Sequence, residues 1–263
     1  MGRRSAQIVF LMYHELELAG RKLCQSEPGY VRYILPIDAF RSQVQFLSRS
    51  GFHGLNVSEA IHYPSGPSIC ITFDDGCETD LIAAAPVLRE CGFHATFYVT
   101  AGFLGTPGYL SPEQLRYLDG HGFEVGCHSM THAYLSDVSE PELKREVADA
   151  KIQIEQILGH GIEHFSCPGG RYNQQALAMA RGAGFRTVAN SDFHANSSAT
   201  SVFELGRVAM LRDLSIGEFD AICHGHGLWK KRLQHWTRHG IQRVLGNRAY
   251  DQLRAALLGD SRS

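Results

Sequence analysis

Short apolar runs alternate with amphipathic ones along most of this chain, and no other feature narrows the fold as much. Gln7–Tyr13, Ser68–Phe73, Ala95–Val99, Glu124–Cys127 and His164–Cys167 read as strands, and Arg186–Ala189 and Leu205–Met210 look like two more. Helical patterns lie between them. Asp38–Ser50 is closed by Gly51, and Asp80–Glu90 has Gly92 just past its end. Ser111 opens a helix with Pro112 at its first position and Gln114 completing a capping box; Ser139 with Glu142 opens a long helix to about Leu158. Gln174–Ala183 ends at Gly184, and Ser215 with Glu218 opens a last helix. Repeated strand-then-helix units predict a parallel sheet with helices outside it. About seven such units predict a closed or nearly closed barrel. The competing open sheet should carry a glycine-rich phosphate loop after its first strand, where this chain reads "MYHEL".

A length of 263 residues suits one catalytic domain spanning the whole chain better than two small ones. The formal net charge of −2 gives no field that would draw nucleic acid. The seven cysteines form no CxxC pair and are odd in number, which predicts buried thiols in a reducing compartment and not a disulfide framework. The basic start and the apolar run that follows are too short for a signal peptide and lack a small-residue cleavage site, so the run is read as a core strand. With no run long enough to span a bilayer, a cytoplasmic location is expected. Residues 229–263 are expected to form a helical extension. Its 229–248 stretch carries both tryptophans, Lys230, Lys231, Arg232, Arg238, Arg243 and Arg248 and no acid. That composition suits peripheral contact with an anionic membrane, although a solvated basic face is the plainer reading.

The chemically suggestive residues gather at the carboxyl ends of the expected strands. His14 follows the first, Asp74 and Asp75 follow Ser68–Phe73, His128 and His132 follow Glu124–Cys127, and Pro168-Gly169-Gly170 follows His164–Cys167. In a barrel these ends share the face that holds the active site. Two histidines four apart on a helical turn present both rings to one side. Two histidines and a carboxylate are a common catalytic metal set, leaving positions open for water and substrate. One aspartate can supply the third ligand while its neighbour takes a proton from the water. Taken singly, each cluster has a plain structural explanation: Asp-Asp-Gly as a turn, "HSMTH" as a surface loop, His14 as a core histidine. Their joint placement at strand ends favours chemistry.

"TFDDG" at Thr72–Gly76 and "HSMTH" at His128–His132 resemble the first two motifs of the polysaccharide deacetylase family, the NodB-homology group or carbohydrate esterase family four. "FSCPGGRYN" at Phe165–Asn173 resembles the third, and "LMYHEL" resembles the start of a circularly permuted, exopolysaccharide-type subgroup. The resemblance implies an α/β fold, a distorted, incomplete TIM-like (β/α)7 barrel. It also implies a divalent metal, most often Zn2+, and hydrolysis of N-acetyl groups on an amino-sugar glycan or glycan precursor. By position, Asp74 would be the general base, and Asp75, His128 and His132 the metal ligands. His14 would be the general acid, and the Gly169 N–H would hold the oxyanion, with Pro168 and Tyr13 beside the substrate. The third motif often opens with an arginine that orients the base; Ser166 and Cys167 stand there instead, which leaves Arg207 in "LGRVAM" as the candidate. The aromatic that often follows the motif proline is Gly169 here, and "ICHGHGL", with His224 and His226, falls at an expected helix end. The rival readings are an amidase of the same fold acting on a non-sugar amide, and a catalytically inactive glycan-binding module.

Overall fold

A computed structural model describes residues 7–228. The expectations for the basic start and for the 229–263 extension fall outside them. The strands are β1 (Gln7–Tyr13), β2 (Leu16–Glu17), β3 (Leu35–Pro36), β4 (His53–Leu55), β5 (Ser68–Phe73), β6 (Thr96–Val99), β7 (Glu124–Cys127), β8 (His164–Ser166), β9 (Thr187–Ala189), β10 (Asn196–Ser197) and β11 (Val208–Ala209). A parallel ladder runs β1-β5-β6-β7-β8-β9, with helices in the crossovers. β4 joins the start of β5, while β10 and β11 pair with the start and end of β1. Ala189 in β9 bridges Leu205, two residues before Arg207, so the 205–209 segment draws the two edges of the sheet together. The result is a curled, incompletely closed barrel. Among the described residues no helix is long and apolar enough to cross a membrane.

The period of two along each strand decides what enters the barrel. Val9, Leu11 and Tyr13 of β1, Ile69, Ile71 and Phe73 of β5, Phe97 and Val99 of β6, and Val125 and Cys127 of β7 belong to the large core shared with the helices. The alternate residues Ile8, Phe10, Cys70 and Tyr98 form a smaller cluster with Ala189, Leu205 and the short helix Val57–Ala60, which plugs one end. Continuing that inward row past Cys70 gives Thr72 and then Asp74. Continuing from Gly126 gives His128, and Ser166 follows His164. Polar side chains thus enter an otherwise apolar barrel at defined levels.

Three expected elements differ in detail. The strand expected over Leu205–Met210 is broken into the Leu205 bridge and the Val208–Ala209 ladder, because the Asn196 side chain takes both backbone groups of Gly206 (2.8 and 2.9 Å). The helices expected over Asp80–Glu90 and from Ser139 to Leu158 each contain a widened turn, Asp80–Ala84 and Arg145–Asp149, where the N–H bonds reach five residues back. The three capping boxes led by Ser111, Ser139 and Ser215 form. All seven cysteines are free thiols, five of them buried.

Gly126 has no room for a side chain: a Cβ there would sit 2.5 Å from the Tyr98 ring and 3.0 Å from the His164 carbonyl oxygen. Gly126→Ala is therefore expected to destabilise the fold by roughly 1–3 kcal/mol. Urea unfolding checks this, and an unchanged midpoint would contradict the packing described.

Candidate active site

Asp74 leaves the end of β5 with its N–H bonded to the Tyr13 carbonyl at 3.0 Å, and its side chain continues the inward row. Arg207 meets it from across the seam with two bonds, 2.6 Å to Oδ1 and 2.7 Å to Oδ2. The guanidinium is fully buried and gives its other bonds to Thr72 Oγ1 (3.2 Å), Ser166 Oγ (2.6 Å) and the Asn190 carbonyl (3.1 Å). Five bonds for five N–H donors leave no unpaired charge-bearing group on the arginine. Burial alone would raise the Asp74 pKa; the Arg207 charge, then His128 and the Arg207 bonds, outweigh it and hold the carboxyl well below the usual range.

Asp75 points elsewhere because its backbone turns into the left-handed region at φ 81°. Oδ2 accepts the Tyr30 hydroxyl at 2.7 Å. Oδ1 is buried without a hydrogen-bond partner and lies 3.6 Å from His128 Nε2 and 3.5 Å from His132 Nε2. His128 Nδ1 lies 2.9 Å from the Ser166 carbonyl, which can only accept, so the proton sits on Nδ1 and the Nε2 lone pair faces Asp75. Burial pushes the His128 pKa down to about 4, which keeps the ring neutral. The three donor atoms all lie within 4.8 Å of one another. Donors of a tetrahedral zinc-type ion stand about 3.4 Å apart, from bond lengths near 2.0–2.1 Å. An orphaned carboxylate oxygen and a fixed imidazole lone pair, at nearly that spacing, fit a divalent cation.

The stretch carrying both histidines is not the helical turn expected from their spacing. Ser129 (φ 68°) and His132 (φ 62°) both occupy the left-handed region, and the loop still sets the two rings 5.0 Å apart. Buried Glu146 supports it by accepting from Met130 N (3.1 Å), Thr131 N (2.8 Å) and Thr131 Oγ1 (2.7 Å). The Ser129 hydroxyl takes the His132 N–H at 2.9 Å.

His14 is partly buried beside this group, between Tyr30 and Tyr33, and its Nδ1 has no hydrogen-bond partner. Burial lowers its pKa, opposed by the fields of Asp75 and Asp74. Pro168 and Gly169 form a tight turn after β8; Gly169 is left-handed at φ 59°, and a Cβ there would meet the Tyr134 ring at 2.8 Å. Tyr13 requires a correction. Being one residue out of phase with Asp74's inward row, it is buried under the helix Ile37–Arg49, donates to Gln43 at 2.9 Å and stacks on Phe73. It is core, not substrate contact. His224 caps the end of the helix Ile216–Cys223, away from the strand ends.

Residues 62–188 match the family model for polysaccharide deacetylase. The stretch holds Asp74, Asp75, His128 and His132, the four residues just brought together. Over that stretch, just under half of its length, the chain matches the polysaccharide deacetylase family. It is similar to YxkH of Bacillus subtilis, 26% identical over 224 residues, 83% of this chain and 76% of that protein. It is also similar to a peptidoglycan-N-acetylglucosamine deacetylase of Bacillus cereus, 33% identical over 121 residues. That match takes in 46% of this chain and only 54% of the relative. Among solved structures, the Streptococcus pyogenes deacetylase PplD shares the fold at TM-score 0.74 and 22% identity, over 84% of this chain and 99% of that one. IcaB from Ammonifex degensii does so at 0.70 and 22%, over 84% and 98%.

Two contributors lie outside the matched stretch: His14 before it and Arg207 after it. The sequence offered no sign of Tyr30 as the donor to Asp75 or of Glu146 as the support of the histidine loop; both act through distant packing. Replacing Arg207 by Met is expected to cost about 3–5 kcal/mol, because it strands a buried carboxylate. Adding Asp74→Asn should recover part of the loss. Denaturant titration of the singles and the double measures this, and additive losses would argue against the ion pair as the source.

Proposed function

We propose that the chain hydrolyses the N-acetyl amide of an amino-sugar glycan or glycan precursor, using a divalent metal, Zn2+ by preference, held by Asp75, His128 and His132. The observation that carries this is the division between two adjacent aspartates. One is clamped by an arginine, and the other turns an unpaired oxygen toward two imidazoles. The relatives' names support the substrate class, since they include deacetylases of peptidoglycan N-acetylglucosamine and of chitooligosaccharides.

A bound divalent ion supplies Lewis-acid polarisation and water of pKa lowered toward about 7. Asp74 stands next to the ligands, its Oδ2 3.7 Å from His128 Nε2, and takes the proton of the attacking water. Arg207 keeps that carboxylate ionised and fixes its direction. As the acyl carbon becomes tetrahedral, the Gly169 N–H donates to the oxygen that gains charge. The left-handed turn that aims this N–H is open to glycine and closed to bulkier residues by Tyr134. His14, protonated, passes its proton to the departing nitrogen as the C–N bond breaks. Acetate and a free amine leave. The likeness of "LMYHEL" to the start of the permuted subgroup supports His14 in this role, as does its place after the first strand in the field of both aspartates.

Acetate release should be measured on N-acetylglucosamine oligomers and on simple amides, alongside metal content. Turnover on the oligomers and not on the amides is expected. Asp74→Asn should keep the metal and lose roughly 10²–10⁴ in rate, whereas Asp75→Ala should lose the metal itself. Equal metal loss in both variants would refute the division of labour, and glycan binding without turnover in metal-loaded protein would refute the activity.

A further inference from the structure

A second group of ligating side chains lies beneath the first and plays no part in the proposed reaction. Glu15 follows His14 at the end of β1, Cys77 follows the Asp-Asp-Gly turn, and Cys24 comes from the loop between β2 and β3. One donor atom from each lies within 4.8 Å of the other two. Glu15 and Cys77 are fully buried. Both Glu15 oxygens lie 3.0 Å from the Cys24 N–H, and the Cys24 thiol lies 3.2 Å from the Gly108 carbonyl. Gly108 is left-handed at φ 94°, and a Cβ there would sit 2.8 Å from the Cys24 sulfur, so the loop is shaped around that atom. One turn beyond Cys77, its backbone N–H bonded to the Cys77 carbonyl at 3.0 Å, stands Asp80. Asp80 is fully buried, and neither of its carboxylate oxygens has a hydrogen-bond partner.

Two acids and one thiol have thus been buried together, with a second, partly exposed thiol beside them. Arg21, in the loop that carries Cys24, gives its guanidinium to Glu78 (2.5 Å) and to the Gly108 carbonyl (3.2 Å). A buried carboxylate without a positive partner costs several kcal/mol and is ordinarily relieved by a proton or a cation. Ordinary core packing would put aliphatic residues at such positions.

We infer that Glu15, Cys24 and Cys77 form a structural binding site for a thiophilic divalent cation of the zinc class, distinct from the site at Asp75, His128 and His132. Two sulfurs and one carboxylate oxygen select such an ion over magnesium or calcium. Tetrahedral zinc places its sulfur and oxygen donors about 3.5–3.8 Å apart, which is reached from the observed spacing by small rotamer changes. Binding releases the two thiol protons. The ion ties three segments together: the end of β1 that carries His14, the turn that carries Asp74 and Asp75, and the loop that leads to Tyr30, the donor to Asp75. Its work is to brace the active site without entering the reaction.

The test uses the full chain, reduced and stripped with chelator, carrying Asp75→Ala and His132→Ala so that the first ligand set is broken. Titration with Co2+ alone should take up one equivalent and develop thiolate-to-metal charge-transfer absorption. Adding Cys24→Ser should abolish that absorption and the equivalent together. Cys24 is partly exposed, so this variant is the one expected to fold, and its circular dichroism checks that it does. With the first site intact, Zn2+ should raise the melting temperature further in the parent than in Cys24→Ser. Absence of the thiolate band, its persistence in Cys24→Ser, or a Cys24–Cys77 disulfide in place of bound metal would each overturn the inference. These readouts do not depend on turnover, so failure here leaves the proposed deacetylation standing, and the reverse also holds.

Discussion

The buried fork between Arg207 and Asp74 is the contact on which both the barrel and the site rest. It joins β5 to the segment that spans the open seam, so closure of the sheet and orientation of the carboxylate are one event. Isolated ions in that interior would be very costly; here every guanidinium N–H has an acceptor, which makes the pair tolerable. For the base proposed above the clamp has a chemical price, since it holds Asp74 well below the usual carboxylate range and so weakens it as a proton acceptor. A weak base suffices where the water's own pKa has been lowered, and it gives its proton up again readily, which turnover requires. In the proposed reaction the arginine therefore sets a compromise between a permanently ionised acceptor and a strong one.

Backbone strain is concentrated at the same place. Of the described non-glycine residues with left-handed φ, Asp75, Ser129 and His132 are all in the candidate site, and Tyr63 is the exception. Each costs of order 1–3 kcal/mol and persists only where surroundings insist on it. Tyr30 and the Thr100 N–H (3.3 Å to the Asp75 carbonyl) hold the first. Glu146 and the Ala101 N–H (3.0 Å to the Ser129 carbonyl) hold the loop of the other two. The strain turns Asp75 away from Arg207 and toward the imidazoles. Without it, two consecutive residues of a strand would face opposite sides of the sheet, and Asp75 would point into the helical layer.

This explains which parts of the site were legible beforehand. Strand-end placement follows from hydrophobic period and turn residues, so the convergence of His14, Asp74, His128 and the Pro168 turn on one face was readable. The capping boxes were readable for a similar reason: each depends on a spacing of three residues within one segment. What local pattern cannot carry is a departure from it. The spacing of His128 and His132 suggested a helical turn, but strained loop geometry does the same work. Tyr13, adjacent to His14, looked like a substrate contact, yet strict alternation sends it to the core. Arg207 drew attention only because motif three lacked an arginine; the Asn196 side chain that replaces its neighbours' ladder bonds left no mark in the sequence. The widened turns at Asp80–Ala84 and Arg145–Asp149 were equally silent.

The barrel interior also shows why a match over 62–188 is an incomplete description of this site. Polar groups inside the sheet occur at successive levels. Near the plugged end, Glu124 and His164 (3.2 Å apart) engage Thr96, Ser58 and Thr187. Above them, Thr72 and Ser166 serve Arg207; above those, the histidines face Asp75. The two lower levels are satisfied by bonds crossing between distant segments, so no single stretch completes them, while at the top Asp75 Oδ1 keeps no hydrogen-bond partner. The two histidines and the paired acids come from the matched stretch, but the guanidinium that orients one acid and the imidazole that lies beside both come from its flanks. In this chain the third motif carries no arginine at its start, so the guanidinium that keeps the inward aspartate ionised comes from a flank and not from the motifs.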